Sequence, residues 1–347
     1  MPIIPHLIAD QFGSHVGKYS GRIKITKASE TLAQAPLLHL ESLTIANTGV
    51  SISADAIRAC TEHGIPIHFL SGSGNPYASL YSSGLVGTVL TRRAQLTAYN
   101  TALGWQVALA FTSGKIDNQA TLLKYAAKYR KETNPDLHHE LRLLATEVLD
   151  HQEEIRTLDT IARQEGYFIE EVRDQIFSIE GRAAQKYWQG MALLLPERLN
   201  WPGRRGRGAT DPFNSALNYG YGILYSELHQ AIVLAGLDPY AGFIHTDRPG
   251  KPSLVLDLIE EFRAPVVDRT MLGLVNKGVK IDQDDKGFLT DDTRKQLAQK
   301  VLDRLESAEP YEQKRYPLRH IIQTQARRLA TYLRGERPRY EPFAASW

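Results

Sequence analysis

Two hydrophobic rhythms divide this chain near residue 90. Up to that point the pattern is mostly period two and rich in turns. In Arg22-Ile23-Lys24-Ile25-Thr26, apolar and polar residues alternate as in a strand buried on one face. Leu38 and Leu40, then Leu43 and Ile45, and later Ile65, Ile67 and Phe69 give further short pieces. Between them Ala54 to His63 reads as one short helix closed by Gly64, and Ser71-Gly72-Ser73-Gly74-Asn75-Pro76 reads as a loop. From Thr91 onward apolar residues recur at helical spacing. The predicted helices cover about residues 92–111, 115–131, 136–165, 168–190, 212–235, 252–263, 291–306 and 317–334, with almost no strand signal between them. Asp211-Pro212 is a well-formed helix start, with Asp as the N-cap and Pro at the first helical position. The pattern predicts an α+β protein: a small β-rich, sandwich-like domain over residues 1–90, then a larger all-α domain over residues 91–347.

Composition keeps this picture within the ordinary globular class, at 42% hydrophobic and 23% charged residues. A chain of 347 residues can bury a substantial core without disulfides. Cys60 is the only cysteine, which excludes an intramolecular disulfide and suits a reducing compartment. No stretch approaches the roughly 18 apolar residues of a membrane span, and Met1 to Asp10 lacks the features of a signal peptide. A cytoplasmic protein with no membrane partner is expected. The formal net charge of +2 says little about nucleic acid, but local clusters say more. Arg204, Arg205 and Arg207 sit among glycines. Beyond residue 313, Lys314, Arg315, Arg319, Arg327, Arg328, Arg334, Arg337 and Arg339 face only Glu336 and Glu341. Such clusters either neutralise phosphates or form a solvated surface.

Three places carry groups that composition does not explain. Glu180 shares a helix face with Ile176, Phe177, Ala183, Ala184 and Tyr187, which puts a carboxylate in an apolar stripe. An unpaired charge there is costly, so the residue is either a ligand or a buried Glu paired with a nearby Arg such as Arg182. His245 follows Gly242-Phe243-Ile244 and precedes a Pro/Gly-rich turn; alone, a histidine here is more often structural than catalytic. In the helix predicted over Ser253 to Arg263, Val255, Leu258, Ile259 and Phe262 form the main apolar face. Leu254 and Leu256 flank it, leaving only a narrow acidic wedge of Asp257, Glu260 and Glu261, which reads either as a cluster inside a cleft or as a solvated strip. Carboxylates with one imidazole suit Mg²⁺ or Mn²⁺ and the phosphoryl-transfer chemistry those ions support. Zinc is less favoured, since no cysteine cluster or His pair at ligand spacing joins them. His138-His139-Glu140 points in several directions on a helix and reads as surface.

The order of these motifs resembles that of the CRISPR-associated adaptation integrases. Ile179-Glu180-Gly181 with Tyr187 resembles the family's first metal-ligand motif, and Asn214-Ser215-Ala216-Leu217-Asn218-Tyr219-Gly220-Tyr221 its following helix. Gly242-Phe243-Ile244-His245 matches the ligand-histidine motif, and Ser253 to Arg263 the acidic helix. Arg92, Gln95, Lys115, Asn118 and Gln119 also look like family positions. The resemblance covers most of the chain and implies Glu180, His245 and Glu260 as ligands of a divalent ion, with Asp257 as a further catalytic acid. Spacing alone leaves Glu260 and Glu261 equivalent; the family pattern of two acids three apart selects Glu260.

The resemblance further implies a metal-dependent endonuclease and integrase. A DNA 3′-hydroxyl would attack a phosphodiester in a CRISPR repeat, joining a short foreign fragment, the spacer, by transesterification. The implied partners are double-stranded and branched DNA, a second copy of the chain bound through the β-rich domain, and a small ferredoxin-like protein completing a hetero-hexamer. Asn214, Asn218, Tyr221 and Tyr225 share one helical face, suited to DNA phosphates or to internal hydrogen bonds. Arg92, Arg248, Arg327 and Arg328 are further candidate DNA contacts, and Lys115 is open to contact with DNA or with a dimer partner. Two rivals stand beside this reading: a non-catalytic DNA-binding scaffold and a small-molecule phosphohydrolase. Against the latter, the chain has no Gly-rich phosphate loop.

Overall fold

A computed structural model describes residues 5–71, 74, 76–81, 89–206 and 208–347. The turn expected at 71–76 lies partly outside the described residues, as do Met1 to Ile4, and Arg207 lies wholly outside them.

The elements up to residue 80 are β1 (His6–Ala9), β2 (His15–Tyr19), β3 (Arg22–Lys27), β4 (Glu30–Pro36), β5 (Ser42–Ile45), β6 (Ser51–Ile52), α1 (Ala54–Glu62), β7 (Ile67–Leu70) and β8 (Pro76–Leu80). They form two four-stranded sheets, ordered β4-β3-β2-β6 and β1-β5-β7-β8. The alternation read in residues 22–26 is that of β3, whose Ile23 and Ile25 are buried between antiparallel neighbours β2 and β4. In the second sheet β1, β5 and β7 run parallel. Parallel pairing needs a crossover, and α1 supplies it between β5 and β7. Ser53 caps α1, its Oγ accepting from Ala56 N at 3.1 Å. Ala56, Ala59 and Cys60 of α1 join Val16, Ile23, Leu43 and Ile67 in one core.

The remaining elements are α2 (Val89–Tyr99), α3 (Ala102–Lys128), α4 (Pro135–Glu165), α5 (Ile169–Leu194), α6 (Pro212–Leu234), α7 (Ser253–Leu258), α8 (Arg269–Asn276), α9 (Asp291–Glu306), β9 (Ala308–Tyr311), β10 (Lys314–Pro317) and α10 (Leu318–Leu333). The mainly helical character is as expected, with three local corrections. The break expected near residues 112–114 falls instead at Thr101, whose hydroxyl caps α3 by accepting from Leu103 N. Gly114 lies inside α3, and a Cβ there would lie 2.6 Å from Pro342 Cβ, so its absence lets the chain near residue 342 pack on the helix. The hairpin β9–β10 fills the gap between the helices expected at 291–306 and 317–334, where no strand was expected; its turn residues Glu312 and Gln313 both have positive φ without the usual Gly or Asn signature.

The third correction concerns the acidic helix. α7 ends at Leu258, a 3₁₀ turn covers Ile259–Glu261, and a π-helical stretch covers Arg263–Asp268 before α8. Pro265 has no N–H, so the Glu261 carbonyl loses its normal helical donor. The side chain of Asn118 replaces that donor, Nδ2 donating to Glu261 O at 2.7 Å.

Two compact units result. One comprises Met1–Val86, Gly208–Ser226 and Ile281–Gln299; the other comprises Gly87–Arg207, Glu227–Lys280 and Lys300–Trp347. Glu180, His245, Asp257 and Glu260 all belong to the second.

Candidate active site

The site grows from the middle of α5. Ile176, Ile179, Ala183 and Tyr187 turn a buried face inward, and Tyr187 fixes the helix by donating to Asp268 Oδ2 at 2.6 Å. Glu180 lies at the edge of that face, its side chain 14% exposed. Its partner is not Arg182, which pairs with Glu154 and Ser178. It is Lys115 on α3, whose Nζ donates to Glu180 Oε1 at 2.5 Å.

Lys115 Nζ also lies 2.7 Å from Glu260 Oε2, an ion pair that lacks directed hydrogen-bond geometry. Glu260 sits in the 3₁₀ turn, 3% exposed, with Arg263 Nη1 at 2.9 Å from its other oxygen. Burial works against its ionised form, but Arg263 and Lys115 outweigh it and hold the carboxyl down at about 2. Burial likewise opposes charge on Lys115, and the Glu260 and Glu180 carboxylates reverse this, raising its pKa above the ordinary lysine value.

His245 enters on the loop after Gly242. Asp257, fully buried on α7, gathers that loop: its Oδ2 accepts from Phe243 N (2.6 Å) and Ile244 N (3.0 Å), and its Oδ1 from His245 N (3.0 Å). Oδ1 also lies 2.7 Å from His245 Nδ1. A carboxylate only accepts, so Nδ1 carries the proton and Nε2 is left with its lone pair. Gly242 is required here, since a Cβ would lie 2.7 Å from Asp257 Oδ2 and from the Ser253 carbonyl carbon. The imidazole packs edge-on against Phe177, one turn before Glu180, at 5.8 Å between centroids. Asp257, expected as a further catalytic acid, has both oxygens taken up by the His245 loop.

Glu260 and Glu261 diverge. Glu261 is fully buried and accepts from Tyr340 Oη (2.6 Å), Phe343 N (2.9 Å) and Gln325 Nε2 (3.1 Å); burial pushes its carboxyl up to about 7. Only Glu260 meets the cation that Glu180 meets. Gln95 explains itself as a clamp on the loop leading to His245: it donates to the carbonyls of Asp238 and Ala241 and accepts from Asp238 N.

The candidate DNA contacts separate by exposure. Arg92, Arg248 and Arg327 are exposed. Arg328 pairs with Glu312 and lies over the Tyr311 ring at 4.9 Å, so it is committed internally. Lys115 is committed to Glu180 and Glu260. Asn214, Asn218 and Tyr221 belong to the first unit, where Asn214 is buried and bonded to Asp211 Oδ2, and the other two are half-buried. Lys115 as the shared cation was not legible in sequence, because its two partners lie 65 or more positions away.

The donor set fits a divalent cation: two carboxylates from different elements, an imidazole with a free lone pair, and a buried Glu180 Oε2 that accepts no hydrogen bond. Among the described residues, Glu180, His245 and Glu260 do not each bring a ligand atom within 4.8 Å of the others.

Comparison with known proteins finds relatives that span most of the chain. The family described as "CRISPR associated protein Cas1" matches residues 7–303. A CRISPR-associated endonuclease Cas1 of Archaeoglobus fulgidus is 36% identical over 352 residues, covering 98% of this chain and 99% of its own. That of Francisella tularensis subsp. novicida is 33% identical, covering 99% of each chain. Among solved structures, a casposase bound to integration product superposes with a TM-score of 0.81 at 21% identity, covering 97% of this chain and 93% of its own. A Cas1 protein from Thermotoga maritima gives 0.75 at 19%, covering 98% and 100%.

Proposed function

The chain belongs to the Cas1 family of CRISPR-associated endonucleases, which integrate spacers during adaptation, and we propose that it does so with a divalent cation held by Glu180, His245 and Glu260. The family is generally metal-dependent; for this chain the oxygen-rich donor set with one imidazole favours Mg²⁺ or Mn²⁺. The observation that carries the assignment is the convergence of Glu180 from α5 and Glu260 from the 3₁₀ turn on one cationic point, the Lys115 ammonium.

When bound, the cation would polarise a phosphodiester and offset the charge that develops on the attacking and leaving oxygens. The protein's own residues do the rest. Asp257 holds His245 in one tautomer with Nε2 available. Arg263, beside Glu260, places positive charge where a phosphate would lie. Exposed Arg92, Arg248 and Arg327 would contact the DNA backbone, positioning the duplex without reading its sequence.

We further propose homodimerisation through residues 1–90, with residues 91–347 carrying the chemistry. A solved Cas6-RT-Cas1–Cas2 complex has a chain of this fold, with a TM-score of 0.73 and 20% identity. A small ferredoxin-like protein in the role of Cas2 is the partner we assign by analogy. No helix among the described residues is long and apolar enough to cross a membrane. Together with buried, unpaired Cys60, this supports a cytoplasmic setting.

Joining and nicking of branched DNA with Mn²⁺ or Mg²⁺ test the assignment. Glu180→Ala, His245→Ala and Glu260→Ala should each lose chemistry while retaining most DNA binding. Wild-type joining by all three variants would place the site elsewhere.

A further inference from the structure

The Lys115 ammonium contacts both of the carboxylates that the cation requires. Its Nζ is 2.5 Å from Glu180 Oε1 and 2.7 Å from Glu260 Oε2, on a side chain only 11% exposed. An ammonium and a divalent ion both held between these two carboxylates would sit within a few ångströms of each other, a strong like-charge repulsion at so buried a place. Entry of the ion must move the ammonium, and the surroundings restrict where it can go. The other two buried carboxylates of the acidic segment are already engaged. Asp257 is bonded to the backbone of residues 243–245 and to His245 Nδ1. Glu261 is bonded to Tyr340, Phe343 and Gln325. A buried ammonium stripped of its carboxylates without a new anion is costly. The anion that the reaction brings to this place is a DNA phosphate.

We propose that Lys115 competes with the divalent cation for Glu180 and Glu260, and that the displaced ammonium takes a phosphate oxygen of the DNA, so that cation and DNA bind cooperatively. This rests on Glu180 and Glu260 being the cation's ligands. DNA relieves the cost of displacing the ammonium, and the cation frees the ammonium for DNA. By linkage each raises the other's affinity by the same factor, and couplings of this kind usually span roughly 5- to 150-fold. Lys115 is thereby a phosphate-engaging residue of the integration reaction as well as a guard on the empty carboxylate pair.

Mn²⁺ binding, followed by the electron paramagnetic resonance of the free ion, tests this without reference to turnover. Wild type is titrated with and without a short branched DNA, and the Glu180→Gln/Glu260→Gln double variant corrects for ions held by the DNA itself. DNA should tighten Mn²⁺ binding by wild type about tenfold or more, within the usual coupling range. Lys115→Met, which keeps the chain length and removes the charge, should bind Mn²⁺ more tightly than wild type without DNA and lose most of the DNA effect. Equal Mn²⁺ affinity of wild type with and without DNA overturns the proposal and needs no variant. So does a Lys115→Met protein with wild-type melting behaviour whose Mn²⁺ affinity is unchanged or weaker. If the double variant binds Mn²⁺ as wild type does, the ligand assignment itself has failed, which is a separate result.

Discussion

His245 Nδ1 stands 2.7 Å from Asp257 Oδ1, and the same carboxylate accepts three consecutive backbone N–H groups from residues 243–245. One side chain thus fixes both the loop and the ring it carries. Asp257→Asn keeps the shape but replaces an acceptor oxygen with an NH₂ that faces N–H donors. Support of this kind behind a metal-ligating histidine is typically worth 10–100-fold in metal affinity or activity. The variant should therefore lose about that much in DNA joining, with Mn²⁺ affinity falling in parallel. Joining within threefold of wild type would remove Asp257 from the positioning role.

Asn118 uses every hydrogen-bonding capacity it commits in one place. Its Nδ2 donates to Glu261 O and Phe343 O, and its Oδ1 accepts from Ala345 N. It thereby replaces the donor that Pro265 denies the acidic segment and ties residues 343–345 to α3. Asn118→Ala leaves three buried backbone groups without partners, and one such group costs about 1–3 kcal/mol. A loss of about 3 kcal/mol is expected, read as a fall of roughly 4–8 °C in melting midpoint. A fall below 2 °C would show that water replaces the amide.

How far the sequence reached depends on whether a signal was local. The alternation of β3 was legible because Ile23 and Ile25 are buried while their neighbours are not. β4 was not, because most of Glu30–Pro36 is exposed or half-buried and no clean alternation survives. The hairpin β9–β10 turns at Glu312-Gln313, residues with no turn signature, so nothing marked it. Glu180 stood out as a charge on an apolar stripe. Its partner Lys115 is an ordinary helical lysine in sequence, and only tertiary packing of α3 against α5 gives it meaning. Spacing alone left Glu260 and Glu261 equivalent, since on a regular helix both share a face with Asp257, and only the family pattern chose Glu260; the break after Leu258, which sends the two side chains to different partners, had no local signal.

Cys60 offers a check on the core of the β-rich unit. It is fully buried on α1, and burial pushes its thiol up to about 11. The thiolate is the reactive form, so a raised pKa lowers its fraction at every pH below that value. At pH 8 the native protein should resist alkylation by iodoacetamide over hours, and label rapidly once unfolded in guanidinium. Rapid labelling of the native protein would mean that the packing of α1 against Val16 and Leu43 opens readily.

Arg327 and Arg328 are adjacent in sequence and opposite in situation. Arg327 is exposed on α10, whereas Arg328 pairs with Glu312 and covers the Tyr311 ring. Arg327→Ala should weaken DNA binding about equally for unrelated sequences and reduce the dependence of affinity on salt by about one phosphate contact, the signature of a backbone contact. Arg328→Ala should leave that salt slope unchanged and lower the melting midpoint instead, because it removes a partly buried ion pair and a ring contact at the hairpin. Fluorescence anisotropy with a labelled duplex at several salt concentrations separates the two effects. If Arg328→Ala changes the salt slope as much as Arg327→Ala does, the hairpin must release Arg328 to DNA, and the pairing with Glu312 is not what the DNA-bound protein keeps.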